Sequence, residues 1–248
     1  MAKVSGIVQL EGTLMGITFY KRKGVWVARK AGGGFNGKAI KTKASMVRVR
    51  ENGSEFGNCM KSVQLFKKAL QPLLALIRDT DRHARIVSLF TKIKNADVVS
   101  LRGSRSVGVG LQQEAGRSLL LHYVLTTGKD LTTFLPMSFS FDWDSGVCFP
   151  GVKGKELFFP KGASLMELQL IYTQIDFEHQ QFTVSTSSLG VLDKNYEGDF
   201  VLPKPSFNAA TTGVSIAVVG LRYLQDINGT LHPFLEQQHS VIEVVGVL

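Results

Sequence analysis

Gly32, Gly37 and Lys38 carry most of the spacing G-x-x-x-x-G-K, in which backbone N–H groups and a lysine cradle the phosphates of a nucleotide. That chemistry also needs a hydroxyl at the next position to hold magnesium, and here the residue is Ala39. It further needs a helix that starts at the lysine and points its N-terminus at the phosphates. Ile40-Lys41-Thr42-Lys43 carries no apolar helical stripe. A flexible glycine-rich arm accounts for the same residues, so no nucleotide cofactor is expected.

Other constellations stop equally short. Asp142-Trp143-Asp144 would put two carboxylates on opposite faces of a strand, where they cannot share one metal ion. Asp144-Ser145-Gly146 reads as a turn. His83, His122, His179, His232 and His239 are scattered, with no His-x-x-x-His pair for zinc. No Gly-x-Ser-x-Gly elbow is present. Cys59 and Cys148 form no Cys-x-x-Cys pattern, and two cysteines are no disulfide framework. They read as buried apolar side chains. The expectation is a non-enzymatic protein with no catalytic residue, cofactor or metal. A hydrolase assembled from distant residues is the weakest alternative.

The elements that would position any site divide the chain into three. Residues 1–50 are read as a loose strand over 4–10, a β-hairpin over Gly16 to Lys30, and an extended basic arm over 31–50. Ile17, Phe19, Val25 and Val27 favour the strands, and Lys21-Arg22-Lys23-Gly24 forms the charged tip. Residues 51–105 are read as three helices. Ser54 would cap the first, with Phe56, Cys59, Met60, Val63, Phe66 and Leu70 on its buried face. Pro72 suits the first turn of the second. Asp81 would cap the third, whose stripe is Ile86, Leu89, Phe90 and Ile93.

From about residue 106 the apolar period changes to two. Leu119, Leu121, Tyr123 and Leu125 alternate, as do Phe139, Phe141 and Trp143, then Met166, Leu168, Leu170 and Tyr172, then Phe182 and Val184. Val214 to Leu224 is apolar on both faces, which places it centrally in a sheet. Asn228-Gly229 favours a type I′ hairpin turn, and Val241 to Val247 closes the series. The predicted fold is mainly β (α+β), an antiparallel β-sandwich or barrel over 106–248. The helices of 54–95 pack against it and the hairpin completes a sheet.

Net charge is +9, unevenly spread. Residues 1–105 carry +15 and residues 106–248 carry −6. Such asymmetry suits a polyanionic partner or complementary pairing between copies. No apolar run reaches the roughly 20 residues that span a bilayer, so no membrane insertion is expected. The first residues lack a signal-peptide core, and synthesis in a reducing cytoplasm is expected, with release as a particle compatible with it.

Gly12, Gly16, Phe19-Tyr20, Gly24, Val27-Ala28-Arg29-Lys30 and the run Arg50 to Gly57, together with Leu221 to Gly229, resemble a pattern found in uncharacterised Bacteroidota proteins. The likeness covers about a third of the chain. It implies an association with phages or mobile elements, and hence a particle component. It implies no catalytic residues. The expected function is a structural subunit that assembles head-to-tail with copies of itself into a tube, filament, shell or tail-like particle. Lys21, Arg22, Lys23, Arg29, Lys38, Lys41, Lys43, Arg48 and Arg50 would form the basic side of the contact. Asp193, Glu197 and Asp199, on a surface loop over Leu192 to Pro205, would form the acidic side. The alternative is a nucleic-acid-binding accessory protein that uses the basic half.

Overall fold

The computed structural model describes residues 2–3, 10–32, 37–77, 79–206, 212–234 and 237–248. The chain divides into two compact units, Met1–Arg50 and Glu51–Leu248. The strand predicted over 4–10 falls almost wholly outside the described residues, as does the centre of the glycine run.

The first unit is an antiparallel sheet with strands β1 (Ala2–Lys3), β2 (Gly12–Leu14), β3 (Ile17–Arg22) and β4 (Val25–Lys30), in the order β1-β4-β3-β2. Tight two-residue turns set its register. Met15-Gly16 and Lys23-Gly24 all have positive φ, the geometry that matches the twist of a hairpin. The predicted hairpin is therefore present, and with β1 and β2 it makes up a four-stranded sheet. The predicted extended arm is corrected. Residues 37–42 form a short helix, α1 (Gly37–Thr42), followed by a 3-10 turn over Ala44–Met46 and the start of α2 (Val47–Ala69). The Arg50 guanidinium stabilises this corner by donating to the carbonyls of Ile40 at 2.6 Å and Lys43 at 3.0 Å.

In the second unit, α2 continues to Ala69. Ser54 lies inside it and is no cap, because the helix runs through Gly53 and Gly57, which sequence alone marks as breakers. Phe56, expected in the core, is exposed, whereas Cys59, Val63, Phe66 and Ala69 are buried. The next helix, α3 (Gln71–Leu74), has Pro72 in its first turn as predicted. The third, α4 (Arg82–Asn95), buries Ile86, Leu89, Phe90 and Ile93. Asp81 holds the N-cap position, but its side chain does not cap the helix. Asp79 does the capping instead, accepting the N–H groups of Asp81 and Arg82 at 3.0 Å each.

The strand predicted around Leu119 is helical. Three short helices follow α4, namely α5 (Val107–Gln112), α6 (Glu114–Leu120) and α7 (Leu131–Phe134). Gly110 and Gly116 allow close approach here. A Cβ on Gly116 would lie 1.9 Å from the Gly110 carbonyl oxygen, and one on Gly110 would lie 2.2 Å from that of Ile93. Residues 122–125 then run along an edge of the main sheet. Leu125 N donates to Ile242 O at 2.7 Å and His122 N to Val244 O at 2.8 Å.

The remaining strands are β5 (Ser140–Asp142), β6 (Gly146–Lys153), β7 (Leu165–Asp176), β8 (Gln181–Thr186), β9 (Gly190–Leu192), β10 (Glu197–Pro203), β11 (Val214–Ile227), β12 (Thr230–Pro233) and β13 (Val241–Val247). All their pairings are antiparallel. The larger sheet has β11 and β7 at its centre, flanked by β12 and β13 on one side and by β8 and β9 on the other. The smaller sheet is β10-β6-β5. The Asn228-Gly229 turn has positive φ at both residues and joins β11 to β12 as predicted.

Alternation along the central strands creates two cores. Ile171, Ile175, Ile216, Val218, Ile242 and Val244 face a helical layer that includes Phe66, Leu70, Ile86 and Phe90. Met166, Leu168, Leu170, Tyr172, Val219, Leu221 and Tyr223 face the smaller sheet and α7, meeting Phe134, Val147, Phe149 and Leu202. The second unit is thus helices, central sheet and smaller sheet in three layers. The chain is mainly β, as expected. The predicted loop over Leu192 to Pro205 instead holds β10, whose solvent face carries Glu197, Asp199 and Val201 while Phe200 and Leu202 point inward.

Candidate functional site

Charge separates along the same boundary as structure. Residues 1–50 hold eleven Lys and Arg and one acidic residue, a net of +10, whereas residues 51–248 have a net of −1. Lys21 and Arg22 end β3, Lys23 sits in the turn, and all three are exposed, as are Arg29, Lys38, Lys41, Lys43 and Arg48. The Arg29 guanidinium lies 5.7 Å from the Tyr20 ring centroid, a cation–π contact. The Arg50 guanidinium is engaged by the two carbonyls named above. A helix does begin at the glycine–lysine pair of the phosphate-loop-like spacing, but it is only six residues long.

The proposed acidic partners have local tasks. Asp193 accepts the Asn195 N–H at 2.9 Å, and Asp199 accepts the Gly151 N–H at 2.8 Å beside an irregularity in the β10–β6 register. Glu197 is exposed at the start of β10.

Two grooves flank α2 in the second unit, and Lys61 lines both. The first, about 510 Å³, is lined by Gly57, Met60, Lys61, Gln64, Lys67 and Lys68 of α2, with Gln71 and His83 beyond. No carboxylate lines it. The second, about 700 Å³, has a mixed lining in which Asn58, Ser100, Ser104, Ser106, Gln112 and the β7–β8 turn supply the polar groups.

Helix α2 is held in place by buried charges. The ammonium of Lys94 on α4 pairs with Glu55, whose other oxygen accepts the Gly103 N–H at 2.7 Å. Arg102 Nε approaches Glu51 at 3.4 Å. Asp97, fully buried, accepts the N–H groups of Val99, Ser100 and Ser106 at 3.1, 2.8 and 2.9 Å. Burial pushes its carboxyl up, but these hydrogen bonds outweigh it and hold it below the usual range. Segment 97–106 is thereby fixed against α2 while Val98, Val99 and Leu101 remain exposed.

At the polar groove, Asp176 closes the β7–β8 turn by accepting the N–H groups of Glu178 and His179 at 3.0 and 2.9 Å. Its second oxygen lies 2.8 Å from His179 Nδ1 and accepts the Thr212 hydroxyl at 3.0 Å. Those backbone bonds and the imidazole lower the Asp176 carboxyl to about 2, and the carboxylate raises His179. A nucleophile–base pair would need a hydroxyl bonded to the imidazole. The nearby Ser106 hydroxyl instead caps α5 by accepting the Val109 N–H, and Thr212 bonds the carboxylate. The arrangement is that of a turn clamp.

Asp142, weighed earlier as a metal ligand, accepts the N–H groups of Asp144 and Ser145, and Asp144 meets Lys204 at 3.0 Å. Among the described residues no three His, Cys, Asp or Glu side chains cluster to hold a metal ion, and no helix is long and apolar enough to cross a membrane. Sequence reasoning missed the Lys61, Lys67 and Lys68 groove. Its only signal was the recurrence of uncharged polar and basic residues on the outer face of one helix. No family model, curated protein or solved structure matches the chain.

Proposed function

We propose that this chain is a non-enzymatic structural subunit that assembles head-to-tail with copies of itself into a tube, filament, shell or tail-like particle. One observation carries the reading. Among the described residues of the first unit, Val27 alone is buried, while Leu10, Leu14, Met15, Ile17 and Val25 are exposed on or beside its sheet. A small sheet needs an apolar face covered before it is stable, and a neighbouring subunit would supply that cover.

The charge of the unit suits the same contact. A patch of one sign is not self-complementary across a two-fold axis, whereas it can meet the opposite sign on the next subunit, and such contacts close into rings or continue as helices. Glu197, Asp199 and the exposed Val201 on the solvent face of β10 offer acidic and apolar surface together. Exposed ion pairs contribute only about 0–1 kcal/mol each. Charge therefore sets orientation while apolar burial supplies affinity.

The test is electron microscopy and light scattering of the full chain beside a Leu14→Asp/Met15→Asp variant. Both side chains are exposed, so the fold should survive, as circular dichroism would report. Ordered particles are expected from the native chain and dispersed subunits from the variant. A native chain that stays monomeric at high concentration, or a variant that assembles equally well, overturns the reading.

A further inference from the structure

The basic groove on α2 is lined by residues of the second unit alone. Gly57, Lys61, Gln64 and Lys68 recur at spacings of four, three and four, which is one face of a helix. Lys67 and Met60 flank that face, and His83 on α4 forms the opposite wall. From Lys61 to Lys68 the helix advances about 10 Å at about 1.5 Å per residue. The lysines therefore present positive charge along a line, which fits a chain of anionic groups better than a single anion.

The two carboxylates of α2 do not oppose that charge. Glu55 is buried against Lys94 and Glu51 is paired with Arg102, and neither lines the groove. The floor is also open. A Cβ on Gly57 would meet nothing within 4 Å, although a glycine inside a helix costs about 1 kcal/mol relative to alanine. Packing within the chain thus gives no reason for that glycine, whereas a ligand that approaches the helix backbone would.

Across Lys61 the surface changes character. Asn58, Gln112 and Gln180 offer amides and Ser104 a hydroxyl, while Asp176 and Glu178 place carboxylates on the far wall. Carboxylates repel phosphate, so a bound polyanion would keep its charged backbone on the lysine side. Unpaired bases and sugars carry the donors and acceptors that amides recognise. We propose that the α2 grooves form a binding track for single-stranded nucleic acid, with phosphates along Lys61, Lys67 and Lys68 and the sugar–base edge turned toward Asn58 and Gln112.

The probe is a fluorescently labelled, mixed-sequence 20-nucleotide single strand, titrated with the full chain from 50 to 200 mM NaCl. Log affinity should fall linearly with log salt. Each phosphate contact on a single strand contributes about −0.7 to that slope, so Lys61→Gln/Lys67→Gln/Lys68→Gln should lower its magnitude by about 2. A Lys21→Gln/Arg22→Gln/Lys23→Gln variant separates this groove from the hairpin, and should change slope and affinity less. Gly57→Leu leaves the charge unchanged and should weaken binding tenfold or more by filling the floor. Absence of binding at 50 mM salt, native affinity in the triple lysine variant or in Gly57→Leu, or a larger loss in the hairpin variant overturns the proposal. Particle formation, scored separately, bears only on the assembly reading.

Discussion

Lys94 on α4 and Glu55 on α2 form a buried ion pair 39 residues apart in sequence, and it locks together the two helices that wall the lysine-lined groove. A buried pair is replaceable as a unit but costly to break, because a lone charge stays desolvated. Lys94→Met should therefore destabilise the chain by about 3–5 kcal/mol. The double variant Glu55→Leu/Lys94→Met should recover most of that loss in urea denaturation.

The same pair sets an acid limit. Burial pushes the Glu55 carboxyl up, but the Lys94 ammonium and the Gly103 N–H more than offset this and leave it below the ordinary range. A depressed folded-state value means that the stabilisation is present above the unfolded value of about 4.3 and is lost as pH falls through the folded one. Denaturation midpoints between pH 6 and 2.5 should show this fall in the native chain and less of it in the double variant.

Glu243 on β13 has the opposite sign. Burial raises its carboxyl, and the Leu131 N–H at 2.9 Å and the His122 imidazole at 3.5 Å offset this only in part. Because the folded state favours the protonated form, stability should decline as pH rises from about 4.3 through the folded value. Glu243→Gln keeps an acceptor for Leu131 and should remove that decline, leaving the variant at least as stable as the native chain at pH 7.

Glycines of the helical layer should respond in opposite directions. Gly53→Ala and Gly57→Ala, each with open space at the new Cβ, should stabilise by about 0.5–1 kcal/mol. Gly116→Ala and Gly110→Ala must push backbone apart, and a loss of about 3 kcal/mol or more is expected. Thermal melts of the four variants test both signs.

Asp176 and His179 predict a titration. The carboxylate raises the imidazole by its hydrogen bond and its charge, so Asp176→Asn should bring the His179 value down toward about 6.5. Histidine ring signals followed by NMR against pH measure it directly.

What could be read from the sequence was what local burial pattern determines. Met166 to Tyr172 alternates because Met166, Leu168, Leu170 and Tyr172 meet the smaller sheet while Glu167, paired with Arg222, interrupts the other face, and Val214 to Leu224 is apolar almost throughout because it contributes to both cores. The reading failed where contact is made by absence of side chain. Leu119 and Leu121 suggested a strand, yet both are exposed; the burial of Leu111 and Leu120 depends on Gly110 and Gly116, which no hydrophobic period reports. Helix α2 starts seven residues before the predicted cap: Ser54 followed by Glu55 has the chemistry of an N-cap, whereas the helix runs through it from Val47. The groove was illegible because Lys61, Lys67 and Lys68 read as an ordinary solvated face until His83, from another helix, encloses them.

The position of β11 has a consequence for biosynthesis. Val214, Ile216 and Val218 complete one core, while Ala217, Val219 and Leu221 complete the other. Every helix and most strands of the second unit leave the ribosome before β11 does. At about 5–20 residues per second, the stretch from residue 51 to β11 takes roughly 8–33 s to synthesise. Phe66, made early, waits for nearly all of that interval before β11 is there to pack against, whereas Tyr172 on β7 waits only for about its last quarter. Apolar surface left uncovered for that long is what makes an incomplete chain prone to aggregate before its last strands arrive.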